Sequence, residues 1–379
     1  MDVAIIDSGI DPHPDLNFVH FWSPFTTDPV DELGHGTGVA GVLGAMDNDF
    51  GVVGTAPGVR LWSVKVFDAT HNTWAYVIQG MNHCLTNASQ IEVANMSFVQ
   101  EGTVGPLSTV RRAVSNMVSA GIVVVAAVGN NNIDITGPDG VFATGDDKFP
   151  ASFPESMAVS GMDPTTNAFW IETTGSIGSN FSQIERTNNA YPGGTNFVIS
   201  PGGAIDVIAP GDHIRTTAPF MLGLGTNAYA TYQGTSMAAP HVSGLVALYI
   251  AANGRATNAA GVYRIRQAIV DAALPQSQWL TNSPGDPDTF PEPLAIASEA
   301  WVPAPVITSA GGVPGNFAVN FAAVPGYEYT VESATNLSPP VAWAGVGSVI
   351  GGSNTQPASV TATNASEQGY FRLNRTPAP

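Results

Sequence analysis

The chain has 379 residues, 44% hydrophobic and only 11% charged, and its 12 Lys+Arg against 30 Asp+Glu give a formal net charge of −18. That balance excludes a phosphate-tracking nucleic-acid binder, which needs a basic face, and the apolar content excludes wholesale disorder. One cysteine, Cys84, excludes an internal disulfide framework, zinc ribbons and CxxC redox chemistry; no apolar run reaches the length of a membrane span.

From the N-terminus, residues 3–6 read as a buried strand that begins at once. No basic n-region, apolar run and cleavage site precede it, as in a cytoplasmic chain or in a mature or truncated one. Short runs at 61–66, 91–96, 122–127 and 205–209, most of them rich in Val and Ile, suit strands buried on both faces. Helical patterns lie between them at 36–43, 73–85, 107–120, 236–252 and 262–272. In 107–120 the apolar residues Leu107, Val110, Val114, Met117 and Val118 recur at helical spacing, and Gly121 supplies a stop. Strands alternating with helices predict an α/β domain over 1–300, a mostly parallel sheet with helices on both faces. Residues 281–305 are rich in Pro and Asp, and the linker is set at 301–305. Beyond it the period becomes two: Phe317, Val319 and Phe321, then Tyr327, Tyr329 and Val331, alternate with small or polar residues. Residues 306–379 therefore read as a small antiparallel β-sandwich, an all-β C-terminal domain. Two loops are distinctive. Residues 130–148 carry Asp134, Asp139, Asp146 and Asp147, and 188–203 are rich in Asn, Gly and Pro. Both suit solvated surface loops, and the first also suits a calcium loop.

Three segments carry unusual chemistry. Asp7 ends the first strand, His35 lies between glycines at a helix start, and Ser236 enters a helix within Gly234-Thr235-Ser236-Met237-Ala238-Ala239-Pro240-His241. Each alone could be a turn aspartate, a capping histidine and an N-cap serine. Together they supply a nucleophile, a base and an orienting acid in the order Asp, His, Ser, one of three chain orders known for that triad.

On these blocks the sequence resembles the subtilisin-like serine proteases over about residues 1–300. Further matching segments are Asn48 to Pro57, Asn95-Met96-Ser97 and Val123 to Asn130. The resemblance implies a serine endopeptidase that works through an acyl-enzyme. Ser236 is then the nucleophile, His35 the general base and acid, Asp7 the orienting carboxylate, and Asn130 the side-chain donor to the oxyanion. It implies that an extended peptide lies along Ser97, Phe98 and Val99 and along Ala127, Val128 and Gly129. It also implies a structural calcium held by Asp15 and Asn48 side chains and by Met46, Phe50 and Val52 carbonyls; the plainer alternative has Asp15 capping a turn. The sequence departs from the family at Val99, where glycine is usual, at Gly38, where histidine is usual, and in longer spans after Asn130 and after Phe181-Ser182. The competing reading is an inactive subtilase-like binding protein with a closed cleft. The expected setting is a secreted, extracellular monomer acting on protein or peptide substrate, with no nucleic-acid partner.

Overall fold

The computed structural model describes residues 1–101, 108–130, 134–136, 145–165, 167–169, 205–220, 228–281, 291–298, 301, 307–313, 316–323, 327–334, 344–350, 356–363 and 370–377. The loop at 188–203, the span after Ser182 and most of 131–144 lie outside the described residues. Two compact units are present, Met1–Val302 and Pro303–Pro379.

In the first unit the chain runs β1 (Asp2–Asp7), β2 (Phe18–Trp22), α1 (His35–Gly44), β3 (Arg60–Lys65), α2 (Trp74–Thr86), β4 (Ile91–Met96), β5 (Gln100–Glu101), α3 (Thr109–Ser119) and β6 (Val123–Ala127). It continues through β7 (Lys148–Phe149), β8 (Met157–Asp163), β9 (Ala168–Phe169), β10 (Val207–Pro210), β11 (Ile214–Thr217), β12 (Tyr229–Tyr232), α4 (Thr235–Asn253), α5 (Ala259–Ala272) and α6 (Gln276–Trp279). Parallel pairing gives the order β10-β8-β6-β4-β1-β3-β2, with β9 antiparallel on β8. The predicted parallel α/β architecture is therefore the one observed. The sheet is buried on both faces: every residue of β4 and β6 is buried. Burying each Val or Ile contributes about 1.5–3 kcal/mol. Helices α1 and α4 pack together against one face, α2 and α3 against the other.

The chain grows outward from β1 in both directions, through β3 to β2 on one side and through β4 and β6 to β8 and β10 on the other. Such a switch point opens a crevice at the carboxyl ends of the strands, where ligands bind in open α/β sheets. Asp7 ends β1, Ser97 follows β4, and Asn130 follows β6. Topology alone thus gathers residues far apart in sequence.

Helix α4 has 19 residues with a mean hydropathy of 1.3, so the expectation of no span-length apolar segment needs correcting. Its residues are apolar on nearly all sides because it is a core helix: Met237, Ala238, Ala239, Val242, Val246 and Ala247 are all buried. Cys84 is buried in the same core, and burial pushes its thiol up to about 12, which makes it a packing residue.

The second unit holds two three-stranded antiparallel sheets. One has β13 (Ile307–Val313), β14 (Asn316–Ala323) and β17 (Gln356–Thr363); the other has β15 (Tyr327–Ala334), β16 (Ala344–Ile350) and β18 (Tyr370–Pro377). Val319, Phe321, Tyr329, Val331 and Val360 form their shared apolar cluster.

Candidate active site

The site is built on the N-termini of two helices. In α1 the cap is Gly34, at φ 75°, so the first-turn N–H groups need acceptors from elsewhere. Ser8 Oγ accepts the Gly36 N–H at 3.0 Å, and Asp31 Oδ2 accepts the Thr37 N–H at 2.8 Å. Gly36 cannot carry a side chain: a Cβ there would lie 2.1 Å from the Gly9 carbonyl oxygen. This close approach sets the helix start directly against the end of β1. His35, the first residue of α1, then donates Nδ1–H to Asp7 Oδ1 at 2.8 Å. Asp7 is fully buried, while 32% of the His35 side chain is exposed. Burial pulls the imidazole down, but the Asp7 charge, its hydrogen bond and the charge of Asp31 outweigh it, so His35 titrates above the usual histidine range.

Helix α4 carries the serine. Its cap, Gly234, stands at φ 125°, and a Cβ there would come within 3.1 Å of Asn130 Nδ2. Pro240 lies inside the helix and has no N–H to give the Ser236 carbonyl four residues back. Ser97 Oγ fills that gap, donating to Ser236 O at 2.8 Å, and the Ser236 hydroxyl returns a bond to Ser97 O at 2.9 Å. Ser97 is itself held by Asn95 Nδ2 at 2.9 Å, and Asn95 Oδ1 by Ser243 Oγ at 2.8 Å. The reciprocal pair locks the serine-bearing turn to the end of β4. No hydrogen bond joins Ser236 to His35 among the described residues; the hydroxyl is parked on Ser97.

Asn130 is oriented from one end. Its Oδ1 accepts the Thr235 N–H at 3.0 Å and lies 2.9 Å from Thr235 Oγ1, which accepts the Gly129 N–H at 3.1 Å. With the amide oxygen committed, Nδ2 is the end that can donate. Ser236 N–H stands in the first helical turn, where no intrahelical acceptor exists. Two donors at a positive helix end suit a developing oxyanion.

Of the expected substrate residues, Ser97, Phe98 and Val99 continue from β4, and Ala127, Val128 and Gly129 run from the end of β6. Phe98 faces Phe67 and Trp74, at ring distances of 5.8 and 6.1 Å. These rings line a cavity of about 480 Å³ with Asn72, Thr73, Val77, Val99 and Gln100. Val99 is half-buried against a small apolar cluster that includes Ala126, Val128 and Ile135. Gly38, where the family has histidine, lies under the Tyr232 ring: a Cβ would meet it at 3.2 Å. Tyr232 OH donates to Gly34 O at 3.3 Å, so an aromatic side chain occupies that space and braces α1.

The residues expected to hold calcium are brought together around Asp15, whose carboxylate faces N–H and O–H donors. Asp15 is buried, and its carboxylate accepts Asn48 Nδ2 at 2.8 Å, Val52 N–H at 3.2 Å and Tyr229 OH at 3.0 Å. Asn48 Oδ1 accepts the Phe50 N–H at 3.0 Å, and Met46 turns its N–H to Asp15 O at 2.9 Å. A calcium ion needs converging oxygens; here a carboxylate is ringed by donors. As arranged, the Asp15 carboxylate is already satisfied by these donors.

Ser8, Asp31, Thr235 and Tyr232 were not singled out by sequence reasoning. Ser8 follows Asp7 directly and Asp31 precedes His35 by four residues, so nearness to the motif residues was the signal available.

The chain is similar to known proteins over most of its first unit. The family model described as "Subtilase family" matches residues 1–295. Subtilisin E of Bacillus subtilis strain 168 is 36% identical over 262 residues, covering 68% of this chain and 57% of that protein. The subtilisin of Bacillus pumilus is also 36% identical over 262 residues, covering 68% of this chain and 79% of its own. The chain thus spans little more than half the length of the first of these relatives. A crystal structure of a cold adapted subtilisin-like serine proteinase superposes with a TM-score of 0.56 at 25% identity, covering 78% of this chain and 89% of that one. With the motif residues, the sheet order and the family match in agreement, the chain belongs to the subtilase family.

Proposed function

We propose that the protein is a serine endopeptidase in which Asp7, His35 and Ser236 form the triad and Asn130 completes the oxyanion site. The observation that carries this reading is the 2.8 Å bond from a fully buried carboxylate to His35 Nδ1. That bond fixes the tautomer in which Nε2 is free to act as base. Ser236 Oγ leaves Ser97 O, passes its proton to His35 Nε2 and attacks the carbonyl carbon of the scissile bond. The oxygen becomes an anion held by Asn130 Nδ2–H and Ser236 N–H. On collapse, His35 returns the proton to the leaving amine, and an acyl-enzyme remains. Water, deprotonated by His35, releases the acid and restores Ser236. The substrate binds extended, beside 97–99 and 127–129, chiefly through backbone. Protein or peptide outside the cell is the natural substrate class, in keeping with the acidic, lysine-poor composition, and the working form is a monomer.

A fluorophosphonate probe followed by peptide mapping tests this directly. Wild-type protein should be labelled on Ser236 and hydrolyse casein, and Ser236→Ala should do neither while keeping its near-UV circular dichroism. A folded wild type that takes no label would establish the inactive binding protein instead.

A further inference from the structure

The triad leaves one buried carboxylate beside it unused. Asp31 is fully buried and accepts from Ser8 Oγ at 2.7 Å, Gly34 N–H at 2.8 Å, Thr37 N–H at 2.8 Å and Thr37 Oγ1 at 2.8 Å. Its own N–H donates to Asp11 Oδ1 at 2.7 Å. The Ser8 hydroxyl is the hinge of the arrangement. It accepts the Gly36 N–H, so its single proton points at carboxylates: Asp31 Oδ1 lies at 2.7 Å and Asp7 Oδ1 at 3.2 Å. The nearer acceptor takes it. Among the described residues, Asp7 Oδ1 then keeps two close donors, Ser8 N–H at 2.7 Å and His35 Nδ1–H at 2.8 Å.

Building on the triad reading above, we propose that Asp31 is a positioning residue for the Asp7–His35 pair: it draws the Ser8 proton away from Asp7 Oδ1 and so reserves the charge of that oxygen for His35. A hydroxyl bond from Ser8 to Asp7 would drain charge from the oxygen on which His35 depends, because a donor to a carboxylate stabilises it against its other partners. The electrostatics agree with the geometry. Burial pushes the Asp31 carboxyl up, bonds from Ser8 and Thr37 pull it back, and the Asp7 charge pushes it up again. The charge of Asp31 in turn supports protonation of His35. The other charged or titratable groups around this pocket are Asp11, Lys65 with its partner Glu32, and Tyr232 above Gly34 and Gly38.

The test is the titration of His35 followed by NMR of its ring protons in the full chain, which requires no turnover. Labelling and hydrolysis are measured separately, so a failed protease reading and a failed inference give different results. Asp31→Asn should weaken proton binding at His35 about tenfold, one pKa unit, and move the acid limb of kcat/KM down with it. Ser8→Ala removes the competing donor and leaves Asp31 charged, so His35 should titrate within about twofold of wild type. The double variant should recover part of the loss seen in Asp31→Asn, a pattern that mere structural support does not produce. A folded Asp31→Asn with unchanged His35 titration would overturn the proposal. So would a tenfold fall in Ser8→Ala, a variant that decides the matter by itself if Asp31→Asn does not fold.

Discussion

Replacing Ser97 by alanine should destabilise the first unit while leaving every triad residue in place. The side chain is 1% exposed and makes two bonds that nothing nearby replaces. Its hydroxyl is the donor to Ser236 O, which Pro240 cannot serve, and its oxygen is the acceptor for Asn95 Nδ2. Removing it strands one carbonyl and one amide N–H in a mostly buried setting, at about 1–3 kcal/mol each, so roughly 2–6 kcal/mol together. Urea unfolding followed by tryptophan fluorescence measures this, with all variants carried in a Ser236→Ala background to prevent self-digestion. Ser97→Thr keeps the hydroxyl and should lose less than about 1 kcal/mol. Pro240→Ala added to Ser97→Ala restores an N–H for Ser236 O and should recover part of the loss. A Ser97→Ala midpoint within about 0.5 kcal/mol of its parent would refute the argument, because surface-like substitutions fall in that range.

Three further outcomes are expected. Asn130→Ala should lower kcat by about 10²–10³ with little change in KM; that magnitude was measured on subtilisin, a relative, and is carried over. An unchanged kcat would remove Asn130 from the oxyanion site. The acid limb of kcat/KM should lie above pH 6.5, the ordinary histidine value, because His35 is raised and works only when neutral: activity is full above its pKa and lost as pH falls through it. A limb well below that value would contradict the Asp7 pairing. Chelation by EDTA should leave the thermal midpoint unchanged at the Asp15 cluster, since its donors already satisfy the carboxylate. A drop of several degrees, reversed by calcium and absent in Asp15→Asn, would show that Asn48 and Val52 turn their oxygens to a cation.

Much of the architecture was legible because the inner strands announce themselves. β6 is a run of Val and Ala with no polar residue, β4 is buried throughout although it holds Glu92 and Asn95, and α3 shows helical spacing above a stop glycine. Among the strands that were missed, two show the physical reasons. β2 is a half-exposed edge strand of aromatic residues and histidine, and β8 is interrupted by Ser160 and Gly161 although both are buried. At the site, residue types and order pointed to Asp7, His35 and Ser236, because few other arrangements need those groups together, whereas Asn130 followed only from the family resemblance. The Ser8–Asp31 link was illegible: a serine after an aspartate reads as a turn, and an aspartate before a histidine reads as a cap. The Asp15 cluster shows the complementary limit. Composition names an aspartate and an asparagine, but which end of an amide or a peptide faces inward is decided only by folding.

The bond between Ser97 and Ser236 joins positions 139 residues apart, and between them the chain must lay down β6, β8 and β10. Closing so long a loop is entropically late, since distant contacts are rewarded only after the intervening chain is ordered. The lock between Ser97 and Ser236 is thus a late contact in folding. A half-folded copy carries Asp7, His35 and Ser236, yet has not locked the serine-bearing turn to the end of β4.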